Sequence, residues 1–276
     1  KDRVRRLIAA GLALPGTVTD LPVTAQAFSS RRLDGSPNVL LAVAVEGSEI
    51  GMMLTPDGER RISLDLHSIA LEGTQQIDEA HEQLIARSTD EGHFEAVNDK
   101  PVTPRLVGYL AYQHEWTLGP ATYTFNVAVV DNVTGRVGAT SVEIEVPPYT
   151  DEDEWGISDP LLVTVDDAGR AHPVVLGRFV PGDNVVALVE VYGGQRPILS
   201  GQVFLETAGP DKGKQGARLF PLAMRPTVGG VHRGMVPLPA GMPPGRYFVQ
   251  LVITDPPIDE HKIVRLPIEV VAAPIR

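Results

Sequence analysis

The feature that most constrains the fold of this chain is an internal repeat. Residues 123–131 (YTFNVAVVD) and 247–255 (YFVQLVITD) align at an offset of 124 residues, and both alternate apolar with polar positions. A proline precedes each in register, Pro120 and Pro244, and downstream Val142, Ile144 and Val146 fall opposite Leu266, Ile268 and Val270. Each copy reads as strand, turn, strand. A second match sets residues 38–47 (NVLLAVAVEG) beside residues 184–193 (NVVALVEVYG) at a larger offset, so the first copy carries an insertion between its anchors.

The repeat predicts an N-terminal helical or linker segment at 1–16, a β-sandwich domain at 17–148, an acidic linker at 149–156 and a second β-sandwich domain at 157–276. Strands are predicted in the first domain near 22–30, 38–46, 60–71, 75–86, 105–117, 122–131 and 137–146. In the second they fall near 160–166, 184–193, 197–207, 217–224, 230–238, 246–254 and 262–271. Turn signals separate them at Asp57-Gly58, residues 132–135, Pro181-Gly182, Gly193-Gly194 and Gly229-Gly230. Short strands at this spacing predict an all-β fold, two tandem immunoglobulin/fibronectin III-like antiparallel β-sandwiches with a short N-terminal helix. Residues 75–87 also fit a helical stripe through Ile77, Ala80, His81, Leu84 and Ile85. The repeat sets them against residues 217–224, and on that ground they are read as strand.

Tyr123 and Tyr247 each follow a proline turn at the start of a strand. In immunoglobulin-like sandwiches a tyrosine there bonds back to upstream backbone, two residues before a cysteine. Here Phe125 and Val249 hold the cysteine's place, so an apolar contact replaces the disulfide and the two tyrosines are structural.

The search for chemistry assigns no catalytic, cofactor-binding or metal residue. The seven histidines are His67, His81, His93, His114, His172, His232 and His261. None forms an H-E-x-x-H or another metal-pair spacing, so all read as surface or rim residues. His81-Glu82 and His114-Glu115 are adjacent, and adjacent strand residues face opposite ways. Nucleophile-elbow, phosphate-loop and dinucleotide glycine motifs are absent, and no motif activates a serine. Asp151, Glu152, Asp153 and Glu154, and Asp166 and Asp167 with Gly169, offer oxygens to calcium, but neither run has the alternation of a calcium loop. Residues 34–38, Asp34-Gly-Ser-Pro-Asn38, read as turn chemistry before a strand. Asn132-Val-Thr134 matches a glycosylation sequon. Trp116 and Trp155 are the only tryptophans, and both read as packed, which disfavours sugar stacking.

Composition bounds the partners. The net charge of −11 argues against a nucleic-acid binder, which needs a basic face for phosphates. The absence of cysteine excludes disulfides and thiolate chemistry. The longest uncharged stretch near a strand, residues 116–130, is broken by Gly119 and Pro120 and falls short of the roughly 18 apolar residues of a membrane helix. Arg3, Arg5 and Arg6 ahead of a small apolar run suit a short docking helix better than a signal peptide, and Lys1 reads as a cut point with more protein upstream.

Several segments together carry a resemblance to a family. They are residues 19–22 (TDLP), 118–131 (LGPATYTFNVAVVD), 134–139 (TGRVGA), 145–148 (EVPP), 157–161 (ISDPL) and 191–193 (VYG). The pattern resembles the C-terminal region of large bacterial proteins, of acidobacterial type, that carry a von Willebrand factor A-like domain upstream. It covers the chain from about residue 19 to 272. The resemblance implies a periplasmic, cell-envelope or secreted location and a protein partner or an upstream domain of the same chain. It implies no site residue, because the D-x-S-x-S metal motif of the A-like domain is absent from this sequence. The expected function is a non-catalytic tandem β-sandwich module acting as spacer or protein-interaction platform. The alternatives are a carbohydrate-binding or calcium-dependent adhesion module using loops at one sandwich end, and a hydrolase with a carboxylate pair between the domains.

Overall fold

The computed structural model describes residues 2–32, 36–88, 94–96, 109–147, 155–165, 171–205, 217–226, 231–239 and 241–272. It is mostly strand, with a single α-helix among these residues. The chain forms two compact units. The first is Lys1–Ala27 with Val39–Pro147, and the second is Phe28–Asn38 with Pro148–Arg276. The segment Phe28–Asn38 therefore groups with the second unit, although sequence reading placed it inside the first domain.

The first unit holds helix α1 (Asp2–Ala13) and strands β1 (Val23–Arg31), β2 (Pro37–Glu46), β3 (Met53–Leu54), β4 (Arg60–Glu72), β5 (Gln75–Ser88), β6 (Phe94–Ala96), β7 (Tyr109–Trp116), β8 (Ala121–Asp131) and β9 (Val137–Val146), except that residues 28–31 of β1 and 37–38 of β2 are grouped with the second. One sheet runs β1-β2-β7 and the other β6-β5-β4-β8-β9, with β3 on β4. Burial alternates along β4, where Ile62, Leu64, Leu66, Ser68 and Ala70 face inward. Strand β8 is buried on both faces. Phe125, Val127 and Val129 alternate with Asn126, Ala128 and Val130, and all six are buried.

Helix α1 explains the second buried face of β8. Val4, Leu7, Ile8 and Leu12 form one apolar stripe and pack on Val18, Ala128, Val130, Val137 and Ala139. Gly11 makes this approach close, since a Cβ there would lie 2.7 Å from the Ala139 Cβ. Asn126 fastens the helix end by donating from Nδ2 to the Leu12 carbonyl at 2.7 Å.

The second unit holds β10 (Gly156–Ile157), β11 (Leu161–Val165), β12 (Ala171–Pro173), β13 (Arg178–Phe179), β14 (Val185–Tyr192), β15 (Ile198–Leu205), β16 (Ala217–Ala223), β17 (Arg225–Pro226), β18 (His232–Pro237), β19 (Gly245–Asp255) and β20 (Glu260–Val270). Its sheets run β12-β11-β14-β18-β17, with β10 on β14, and β13-β20-β19-β15-β16. The core draws on alternate residues of both sheets, among them Val185, Ala187, Val189 and Val191 of β14 and Val249, Leu251 and Ile253 of β19.

The repeat holds in three dimensions. Strand order β5-β4-β8-β9 recurs as β16-β15-β19-β20. In β8–β9, Tyr123 opposes Ile144 and Phe125 opposes Val142; in β19–β20, Tyr247 opposes Ile268 and Val249 opposes Leu266. The same 124-residue offset therefore applies to both strands of the hairpin. Residues 75–87 are strand: β5 pairs with β4 from Gln75 to Ser88, which satisfies its backbone along a long hairpin. The helical stripe is not used, since Leu84 and Ala86 turn inward while Ile77 is exposed.

Candidate functional site

Two buried aspartates occupy equivalent places in the two units. Asp131 ends β8 and Asp255 ends β19, 124 residues apart, and both are fully buried. Asp131 Oδ2 accepts the Gly51 N–H at 2.7 Å and the Thr134 hydroxyl at 2.7 Å, and its Oδ1 accepts the Val133 N–H at 2.9 Å. Asp255 Oδ2 accepts the Gln195 N–H at 2.6 Å and its Oδ1 the Arg196 N–H at 3.0 Å. Each carboxylate thus pins the loop that leads into β3 or β15. A glycine stands against each: a Cβ on Gly51 or on Gly194 would lie 2.9 Å from the aspartate Oδ2. Charge-assisted bonds of this kind are about twice as strong as neutral ones.

In the first unit this brace carries an exposed apolar tip. Met52, Met53 and Leu54 are 46%, 50% and 69% exposed and leave from Gly51, which abuts exposed Val133. Arg136 closes the arrangement, donating from Nη1 to the Glu49 carbonyl at 3.0 Å and to its Oε2 at 2.7 Å, and from Nη2 to the Asp20 carbonyl. Sequence reading missed this tip. Its signal was the Gly-Met-Met-Leu run beside a turn, which alternation alone does not mark as exposed.

The corner tyrosines do what their position predicts. Tyr123 donates to the Gly119 carbonyl at 3.0 Å and Tyr247 to the Pro243 carbonyl at 2.8 Å. Phe125 and Val249 are fully buried two residues on. Burial, then the charge of Glu72, raises the Tyr123 phenol above its ordinary value of 10.0.

The histidines His67 and His114 have side-chain partners. His67 of β4 and His81 of β5 oppose each other and stack, with ring centroids 4.2 Å apart and planes within 13°. Burial first, then the charge of His81, lowers His67 from the usual 6.5, while Asp65 opposes the shift. Face-to-face rings cannot aim their lone pairs at one ion, and no group of three metal-ligating side chains occurs among the described residues. His114 meets Glu82, which lies on β5 opposite inward-facing Leu66: Nδ1 to Oε1 is 3.5 Å. The Tyr112 hydroxyl lies 3.4 Å from the same nitrogen, and burial, followed by the charge of Glu82, raises its pKa strongly. Trp116 crosses the His114 ring edge-on at 5.0 Å, and its buried indole N–H has no partner among the described residues. Packing of Trp116 in the core, and of Trp155 against the second core, follows the sequence reading.

In the second unit Glu190, 1% exposed, gathers a network. Its Oε2 accepts the Arg31 N–H at 3.1 Å and the Tyr192 hydroxyl at 2.9 Å. Its Oε1 accepts Arg233 Nε at 3.0 Å and the Nη2 of the same guanidinium. Ser158 accepts the Glu190 N–H at 3.0 Å, and Asp159 accepts from the Ser29 hydroxyl at 3.3 Å. These carboxylates hold Ser29 and the Arg31 backbone.

The remaining sequence candidates divide simply. The acidic run 151–154, residues 166, 167 and 169, residues 34 and 35, and His93 lie outside the described residues. The sequon residue Asn132 bonds Ser63 Oγ at 3.1 Å, while its Thr134 serves Asp131. Among the described residues no helix is long and apolar enough to cross a membrane. No protein-family model matches the chain, and no curated protein matches it in sequence.

Proposed function

We propose that this chain is a non-catalytic tandem β-sandwich module, of immunoglobulin/fibronectin III-like type, from an exported bacterial protein. It acts as a spacer or protein-interaction platform beside an upstream von Willebrand factor A-like domain. The observation that supports this most is the use of the buried charge: Asp131, Asp255 and Glu190 each brace backbone, and the brace in the first unit presents Met52, Met53, Leu54 and Val133 at one loop end. Rigid loops with exposed apolar side chains suit binding of a protein partner. The resemblance of residues 118–131 and 157–161 supplies the A-like neighbour and the exported location.

The test is site-specific photo-crosslinking from position 53 in the native full-length protein in fractionated cells. The expected result is one discrete protein adduct in the envelope or secreted fraction, lost in Met52→Lys/Leu54→Lys. Turnover of a substrate by the purified chain, or a calcium-induced rise in melting temperature with glycan binding, overturns the proposal.

A further inference from the structure

We infer that the outer face of β19–β20 in the second unit is a docking seat for an amphipathic helix of a partner protein, the counterpart of the seat that α1 fills in the first. The repeat fixes the correspondence. In β8–β9, Ala128 opposes Ala139 and Val130 opposes Val137, and α1 packs on all of them. At the 124-residue offset their places are held by Val252 opposite Ile263 and by Thr254 opposite His261. Opposed residues in antiparallel strands share a face, so these again form one patch.

The two patches differ in cover. Ala128, Val130, Val137 and Ala139 are all buried. Val252 and Thr254 are half-buried, His261 is exposed and Ile263 is 54% exposed. Ile198 of β15, opposite Thr254, extends the apolar surface and is half-buried too. The strand edge beside each patch differs likewise. In the first unit Ala139 donates its N–H to the Val18 carbonyl at 2.8 Å, and Leu21 donates to the Val137 carbonyl at 3.2 Å. Among the described residues β20 pairs on that side only with β13, at Glu269 and Val270, away from His261 and Ile263.

Polar groups set the direction of the helix. Asn126 donates to the Leu12 carbonyl near the carboxyl end of α1. Its counterpart is Gln250, which opposes Arg265 and accepts from Arg265 Nε at 3.2 Å. The Gln250 amide and the other guanidinium N–H groups are then donors at the place where Asn126 meets the helix end. Last-turn carbonyls and the negative end of a helix dipole match such donors.

The occupant is not α1 of a second copy. A Cβ on Gly11 would lie 2.7 Å from the Ala139 Cβ, so α1 rests its backbone on an alanine methyl. The larger side chain of Ile263 holds that place in the second unit and would lift the same helix off. The seat takes instead a helix with an i, i+3/i+4, i+7 apolar stripe for Ile198, Val252 and Ile263, its last turn on Gln250 and Arg265. It belongs to a different unit from the Met52–Leu54 loop and binds independently of it.

The test places p-benzoylphenylalanine at position 263 of the native full-length protein in cells and sequences the captured peptide. A synthetic copy of that peptide is then titrated against the purified full chain. The expected result is a peptide with a helical apolar stripe that gains helicity on binding, read by circular dichroism. Ile263→Lys weakens it at least tenfold, the factor that burial of one isoleucine supplies. Arg265→Ala weakens it about threefold, and Met52→Lys/Leu54→Lys leaves it unchanged. No adduct, a peptide that binds as an extended strand, capture of residues 2–13 of a second copy, or equal affinity for Ile263→Lys overturns the proposal. If Ile263→Lys lowers the melting temperature, Arg265→Ala decides by its own factor.

Discussion

At the scale of single residues, this protein spends its buried polarity on position. Asp131 and Asp255 sit at matching ends of matching strands, and each accepts backbone N–H groups from a loop distant in sequence. Replacing either with alanine leaves buried donors unsatisfied. The expected cost is roughly 2–4 kcal/mol in urea unfolding for Asp131→Ala, with Asp131→Asn retaining part of the loss. Gly51→Ala is expected to destabilise as well, because its Cβ would lie 2.5 Å from Thr134 Cγ2 and 2.9 Å from the carboxylate. Tyr112 gives a pH prediction. Its phenol is raised above 10.0 by burial and by Glu82. The folded state therefore keeps a proton that the unfolded chain gives up. The stability so gained is complete below pH 10 and falls as pH rises beyond it. Urea midpoints between about pH 9 and 11 should fall with pH in the wild type and fall less in Tyr112→Phe. The aspartates were printed at the ends of both repeat segments, yet their partners were not legible, because the loops they pin are set by tertiary folding.

Secondary elements show where local preference and packing disagree. Residues 75–87 offer a helical stripe, but the β4–β5 ladder pairs all of them except Ile77, which falls at a register shift, since pairing along the strand satisfies more backbone than a short surface helix. Helix α1 shows the opposite case, a local amphipathic pattern that packing keeps. Its glycine separates the two influences. Gly11→Ala improves intrinsic helix propensity by about 1 kcal/mol, yet places a Cβ 2.7 Å from that of Ala139. The expectation is that contact outweighs propensity: amide protection across α1 falls in Gly11→Ala and falls further in Gly11→Val, read by hydrogen exchange. A rise in protection would show that the helix can slide clear of Ala139.

On the scale of the whole molecule, two copies of one strand order follow each other, and each keeps its own core. The second copy does not end where the repeat ends, because Phe28–Asn38 joins it. Glu190 accepts from the Arg31 backbone there and draws in Tyr192 and Arg233. Glu190→Gln removes half of a buried ion pair and is expected to cost about 3–5 kcal/mol, with faster exchange at the Arg31 amide. A loss under about 1 kcal/mol would mean that the network is dispensable. The sequence by itself determined the all-β class, the longer strands, the hairpin offset and the corner tyrosines, but not the two- and three-residue strands β3, β6, β10, β12, β13 and β17. Alternation, turn residues and repeats are local in the chain, so they are readable without knowing what packs on what. Only the tertiary structure decided that Glu82 reaches His114 between sheets, that His67 stacks on His81, and that residue 31 belongs with residue 190. Those contacts join positions that no period or spacing connects, and they exist because sheet order and register bring them to one place.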